Sequence, residues 1–303
     1  MLLLELEDKK MKILVTGAHG QVGQDMMSVL KARGHNVAGT DLVPGNESDS
    51  IIPLDITDPE AVRQLLMSEQ PDAVIHCAAW TAVDAAEDPE NREKVYAVNA
   101  DGTRNIAFVC RELDCKMLYL STDYVFDGTG ETPWQPDETR FAPLNIYGQS
   151  KLAGEDAVRS LLKRYFIVRI SWVFGPGTNF VKTMLRVAGT HNVLRVINDQ
   201  IGTPTYTPDL VRLLADLIES EQYGVYNASN EGGYISWYDF ACEIFRQAGI
   251  EVTVLPVSTA EYGQSKALRP LNSRLDKSKL RQCGFTPLPD WRDALTRYLG
   301  TLS

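Results

Sequence analysis

At 303 residues, 44% hydrophobic and 23% charged, the chain is long enough for one large domain or two smaller ones with substantial cores. A formal net charge of −10 argues against a nucleic-acid partner held through phosphates, though not against a small anionic ligand met by local positive charge. Cys77, Cys110, Cys115, Cys242 and Cys283 are odd in number and form no C-x-x-C pattern, which reads as free thiols in a reducing compartment. No apolar run approaches the ~20 residues of a membrane span, and Met1–Lys10 is too acidic and too briefly apolar for a signal peptide. The expectation is a cytoplasmic protein with neither a membrane nor a nucleic-acid partner.

Met11–Thr16 is a short apolar run that ends at a glycine and predicts a buried parallel strand. Val22, Met26, Val29 and Leu30 recur at helical spacing, and Gly34 stands where a helix C′ glycine belongs. Asn36–Thr40 and Ile51–Leu54 predict strands, and Asp58-Pro59 starts a helix with proline at its first position. Ala73–Cys77, Lys116–Ser121 and Phe166–Ile170 read as further strands, Val95–Leu113 and Tyr147–Leu162 as helices. Strands alternating with helices predict βαβ units, hence an α/β fold with a doubly wound parallel sheet of Rossmann type. Past residue 170 the pattern loosens. Phe180–Ala188 reads as a helix, Val193–Ile197 as a strand, and Thr207-Pro208-Asp209 as a helix start. Val225–Ala228 predicts a strand. Ser236-Trp-Tyr-Asp239 resembles a capping box before a helix that stops at Gly249. Val252–Leu255 predicts a strand, and Pro256–Pro270 is expected to be mostly loop.

Five motifs carry chemistry. Gly17-Ala-His19-Gly20-Gln21-Val22-Gly23 follows the first strand and opens a helix, where a glycine turn lets backbone approach a pyrophosphate. Asp41 ends the second strand, where a carboxylate accepts from an adenosine ribose and disfavours a 2′-phosphate; Asp55 is a candidate for the adenine side or ordinary turn chemistry. Ala78 and Ala79, after the strand ending at His76-Cys77, leave room for a cofactor against the backbone. His76 heads no metal pattern and His19, His35 and His191 are scattered, so no metal site is assigned. Ser121-Thr122 lies at a carboxyl end of the sheet, where a hydroxyl can polarise a carbonyl substrate. Tyr147 and Lys151 share one face of a helix started by Pro143 and Asn145; an ammonium there can lower the phenol's pKa and make it a proton donor. These motifs divide the chain into a dinucleotide-binding domain over 11–174 and roughly 207–234, and a smaller lobe over roughly 175–206 and 235–303. Residues 1–10 form an extension.

Gly17/Gly20/Gly23, Asn99, Thr122 and Tyr147/Lys151, in this order, resemble the extended short-chain dehydrogenase/reductase family from Met11 onward. Within it, Thr81–Asp84, Ser121–Phe126, Pro143–Gly148, Ile170–Val173, Val196–Gln200, Gly202–Thr205 and Arg269–Arg274 look like the dTDP-4-dehydrorhamnose reductases. That resemblance implies NAD(P)H-dependent reduction of the C4 keto group of dTDP-4-dehydro-L-rhamnose, the last step of dTDP-L-rhamnose synthesis. Either NADPH or NADH is implied as cofactor, a nucleotide sugar as small-molecule partner, and a homodimer as assembly. Tyr147 would protonate O4 as hydride reaches C4. Lys151 would hold the nicotinamide ribose and lower the tyrosine pKa. Thr122 would bond the carbonyl oxygen, with Ser121 as the alternative on the other side of the strand. Asn99 would support the active-site helix. Thr81, Val83, Asp123, Tyr124 and Trp172 would shape the sugar pocket, and Arg269 would clamp the diphosphate. Gly17, His19, Gly20, Gln21, Val22, Asp41, Asp55, Ala78 and Ala79 would line the cofactor. A non-catalytic nucleotide-binding regulatory subunit, or a reductase or epimerase of another nucleotide-linked keto sugar, stand as alternatives.

Overall fold

The computed structural model describes residues 10–45, 50–263 and 265–302. The extension expected over residues 1–10 lies outside them, except for Lys10. Seven strands form one parallel sheet: β1 Lys12–Thr16, β2 Asn36–Asp41, β3 Ile51–Pro53, β4 Ala73–His76, β5 Lys116–Thr122, β6 Tyr165–Ile170 and β7 Gly224–Ala228. Their spatial order is β3-β2-β1-β4-β5-β6-β7. The chain builds outward from β1 to β3, then crosses back to β4. At such a switch point the connections leave in opposite directions and open a crevice at the carboxyl ends of the strands.

Helices cover both faces, which is why the strands are apolar throughout rather than alternating; all seven β5 residues are buried. On one face α1, Gln21–Ala32, packs with the helix Thr207–Glu219 around Met26, Leu30, Leu210 and Leu214. On the other lie α2 Pro59–Glu69, α3 Thr103–Leu113 and α4 Ile146–Leu161, around Val62, Leu66, Ile106 and Val158. The Asp58 carboxylate caps α2 by accepting from Glu60 N and Ala61 N, with Pro59 at its first position. A third core holds Phe174, Phe240, Trp291 and Tyr298 between the helices Phe180–Ala188, Trp237–Ala248 and Trp291–Gly300. Val193–Ile197 pairs in parallel with Thr253–Val257 beside it.

Two readings change. The single helix expected over Val95–Leu113 is a turn Arg92–Tyr96, a π-type segment Ala97–Gly102 and then α3. The wider turn carries Asn99, fully buried. Its Oδ1 accepts from Trp80 N (2.8 Å), and its Nδ2 donates to Trp80 O (3.1 Å) and Ser150 Oγ (2.9 Å). The loop expected over Pro256–Pro270 contains the short helix Thr259–Tyr262, started by a Ser258/Glu261 capping box.

The placement of α4 matters most for function. Asn145 Oδ1 accepts from Gly148 N (2.8 Å) and Asn145 Nδ2 donates to Leu268 O (2.8 Å), fixing where the helix begins. Behind it, a Cβ added at Gly154 would sit 2.3 Å from Tyr119 Oη and 2.6 Å from Asn99 O. Gly154→Ala is therefore expected to push α4 off the sheet and cost on the order of 1–3 kcal/mol. Thermal unfolding checks this; an unchanged melting temperature would mean that α4 is not held at this distance.

Candidate active site

A cleft of about 830 Å³ runs along the carboxyl ends of the central strands. Its floor at one end is the glycine turn. Gly17 adopts φ +68°, and a Cβ there would lie 2.6 Å from Ala78 N, so only glycine lets the two loops meet. The following helix α1 has Gly20 at its N-cap, no side-chain cap and no acidic residue in its first turn. Its leading N–H groups and positive end are left for an anion, and Gly20, Gln21 and Val22 line the cleft. This cradle fits a dinucleotide's pyrophosphate. At its rim the Asp41 carboxylate accepts from His19 N (3.0 Å) and Leu42 N (2.8 Å). Asp55 also lines the cleft while its Oδ1 accepts from Thr57 N (2.9 Å) and Thr57 Oγ1 (2.7 Å), a turn that leads into α2. Ala78 and Ala79 line the middle.

At the other end β5 and α4 bring Thr122, Tyr147 and Lys151 together. Successive strand residues leave on opposite sides, and this separates Ser121 from Thr122. Ser121 also lines the cleft, but its hydroxyl donates to Glu155 Oε1 at 2.5 Å. Thr122 lines the cleft beside the Tyr147 phenol, where its hydroxyl favours the ionised form of the tyrosine. Thr122 also donates to Asp123 Oδ1 (3.1 Å) and accepts from Tyr124 N (3.2 Å). Of the two hydroxyls, it is the one next to the Tyr147 phenol.

The electrostatics differ from expectation. Burial pushes the Tyr147 phenol above its ordinary pKa, the Asp123 charge adds to this, and the Thr122 hydrogen bond opposes it. Lys151 is itself buried, which brings its pKa down to about 7, with Glu155 and Cys77 acting the other way. Its Nζ sits 4.1 Å from the centre of the Tyr119 ring. His76 beneath it is held neutral, its pKa lowered to about 3 by burial and by Lys151. The His76 ring bonds Thr16 Oγ1 (2.6 Å) and Thr103 Oγ1 (3.1 Å). Asp123 is raised to about 6 by burial, and its Oδ2 is buried without a hydrogen-bond partner.

Thr81, Val83, Tyr124 and Trp172 line the same end. Trp172 has φ 50°, a strained value for an aromatic residue. It is imposed by bonds on both sides: Ser171 Oγ donates to Thr203 O (3.1 Å), Thr205 Oγ1 donates to Ser171 O (2.6 Å), and Thr205 N donates to Trp172 O (3.0 Å). The strain turns the indole against Trp237, stacked at 3.7 Å between ring centres. Trp237 also lines the cleft, and sequence reasoning missed it. The available signal was its place just after the Ser236 cap. Arg269 is not among the lining residues. Its Nη2 donates to Asp84 Oδ2 (2.7 Å) and its Nη1 to Asp84 Oδ1 (3.1 Å), and it also bonds the Tyr124 side chain. Among the described residues, no group of three His, Cys, Asp or Glu side chains is placed to hold a metal ion, and no helix is long and apolar enough to cross a membrane.

The family model of the RmlD substrate binding domain matches residues 11–303. The chain belongs to that family. It is 40% identical to the spore coat polysaccharide biosynthesis protein SpsK of Bacillus subtilis (strain 168), over 95% of this chain and 96% of that protein. It is 40% identical to the dTDP-4-dehydrorhamnose reductase of Streptomyces griseus, over 93% and 91% of the two. The crystal structure of dTDP-4-dehydrorhamnose reductase from Bacillus anthracis str. Ames in complex with NADP superposes with a TM-score of 0.88 at 40% identity, covering 96% and 99%. The doubly wound α/β fold and the nicotinamide cofactor read from the sequence agree with these likenesses.

The depressed pKa of Lys151 makes a stability prediction with a definite sign. Below its folded value of about 7 the buried ammonium costs stability in full; the cost fades as pH rises toward the unfolded value of 10.5. Lys151→Met is expected to raise the melting temperature at pH 7, by roughly 2 °C or more per kcal/mol recovered, and to abolish turnover. The gain should shrink as pH approaches 10. Lower melting at pH 7 would show that the ammonium is not a stability cost.

Proposed function

We propose that this chain reduces the C4 keto group of dTDP-4-dehydro-L-rhamnose to give dTDP-L-rhamnose, with NADH or NADPH as reductant. The observation that carries the reading is one cleft joining a glycine-turn cradle to Thr122, Tyr147 and Lys151, in a chain of the RmlD substrate binding family. The bound reduced nicotinamide supplies the hydride.

The chain's own residues do the rest. Thr122 and Tyr147 bond the carbonyl oxygen from one side and fix its position. Tyr147 gives its proton to O4 as negative charge develops there. Its raised pKa keeps the phenol protonated until that moment. Once the proton has left, the Lys151 ammonium offsets the phenolate charge. Lys151 also holds the cofactor ribose, and Asp41 the adenosine ribose. Asp123, with one oxygen unpartnered, accepts from a sugar hydroxyl. Thr81, Val83, Tyr124 and Trp172 close around the ring. Arg269 reaches the diphosphate by exchanging Asp84 for phosphate oxygens. Residues 11–174 and 207–234 serve the dinucleotide, and 175–206 with 235–303 serve the nucleotide sugar. A cytoplasmic homodimer is the setting we infer for this enzyme class.

Tyr147→Phe removes only the transferable proton. Turnover with the dTDP-4-keto sugar is expected to fall by about 10²–10⁴-fold while the reduced cofactor still binds. Steady-state kinetics alongside fluorescence binding checks both halves. Turnover equal to the parent would remove Tyr147 from the mechanism.

A further inference from the structure

Tyr147, Lys151 and Glu155 follow one another at four-residue steps on the inner face of α4. Glu155 touches neither end of the cleft and has no exposed surface. Its carboxylate is nonetheless fully engaged. Oε1 accepts from Ser121 Oγ (2.5 Å) and Arg169 Nε (3.0 Å); Oε2 accepts from Arg169 Nη2 (3.0 Å) and from Arg159. Arg169 is equally buried, donates through Nη1 to Pro136 O (3.2 Å), and lies over the rings of Phe126 and Phe141. Ser121 and Arg169 are register partners on β5 and β6.

Resting on the reductase reading, we propose that Glu155 is the positioning residue of the site: it ties the Tyr147/Lys151 helix to the strand presenting Thr122 and supplies the negative charge that faces Lys151. The first half follows from connectivity. One carboxylate joins α4 to β5 at the residue next to Thr122 and to β6 at that residue's partner, so sliding α4 breaks all of these bonds together. By taking the Ser121 hydroxyl, Glu155 also leaves the carbonyl to Thr122.

The second half follows from what surrounds the ammonium. Tyr119 faces it from β5, His76 from the end of β4, Cys77 from the residue after it, and Tyr147 and Glu155 from its own helix. Burial keeps Tyr119, Tyr147 and Cys77 protonated and His76 neutral. Asp123 acts on Tyr147 and Tyr124. Glu155 is the carboxylate that opposes the burial of Lys151.

The test uses NADH affinity, read by quenching of tryptophan fluorescence from pH 6 to 10, because it needs no sugar substrate. Parent protein is compared with Glu155→Gln, with the double variant Glu155→Gln/Arg169→Met, and with Ser121→Ala. The parent should lose affinity along a limb as Lys151 deprotonates. In Glu155→Gln that limb should move down by about one pH unit, roughly a fivefold loss at the former midpoint. The double variant relieves the stranded arginine and should regain thermal stability with the limb still below the parent's. Ser121→Ala keeps the charge, so its limb should stay in place while turnover falls several-fold. A limb that stays in place in both Glu155 variants would overturn the counter-charge. If only the double variant folds, its limb decides that question alone. Full turnover in Ser121→Ala would overturn the positioning role. A parent that shows the limb but turns over no dTDP-4-keto sugar would defeat the reductase reading, with the counter-charge still decided by the limbs of the Glu155 variants.

Discussion

Burial of one ammonium at the carboxyl edge of a parallel sheet is the constraint around which this molecule is arranged. Lys151 has lost most of its water, and the protein replaces it with the face of Tyr119 and the nearby charge of Glu155. Each of those replacements needs its own support. Tyr119 requires a glycine at 154 to let α4 approach, and Glu155 requires Arg169, Arg159 and Ser121. His76 must stay neutral beneath the ammonium, which its bonds to Thr16 and Thr103 allow. A charge kept in such surroundings costs folding free energy, and sites of this kind are where function overrides stability.

The two ends of the cleft follow different physics. The cofactor end is built from backbone: a positive-φ glycine, an uncapped helix start and the carboxyl ends of strands. Such a cradle recognises a dinucleotide in many settings and says little about the second substrate. The other end, where we propose the sugar binds, is built from side chains drawn from distant parts of the chain. Trp172 is strained into place by Ser171, Thr203 and Thr205, and Trp237 comes from a separate helix to stack on it. On the proposed reading, specificity resides where the C-terminal segments meet the sheet.

The division between what was legible in the sequence and what was not follows the same line. The glycine turn, the Tyr147/Lys151 spacing and the α/β alternation are local patterns, and local patterns survive translation into sequence. The engagement of the Ser121 hydroxyl is not local, because Glu155 takes it from α4 and Arg169 braces that carboxylate from β6. The π-type segment at Asn99 was missed because its cause is a tertiary bond to Trp80 and Ser150. The direction of the Tyr147 shift was misjudged for a related reason. Spacing places a lysine near a phenol, but only packing reveals that both are buried and that Asp123 stands closer in effect.

The central claim is that this buried pair delivers a proton to O4 of a dTDP-linked keto sugar while hydride reaches C4. The most direct measurement is NMR analysis of the product formed from dTDP-4-dehydro-L-rhamnose and a C4-deuterated reduced nicotinamide. The account predicts dTDP-L-rhamnose with deuterium at C4 and one cofactor oxidised per sugar reduced. Unchanged sugar, or an epimerised product without net cofactor oxidation, would contradict it.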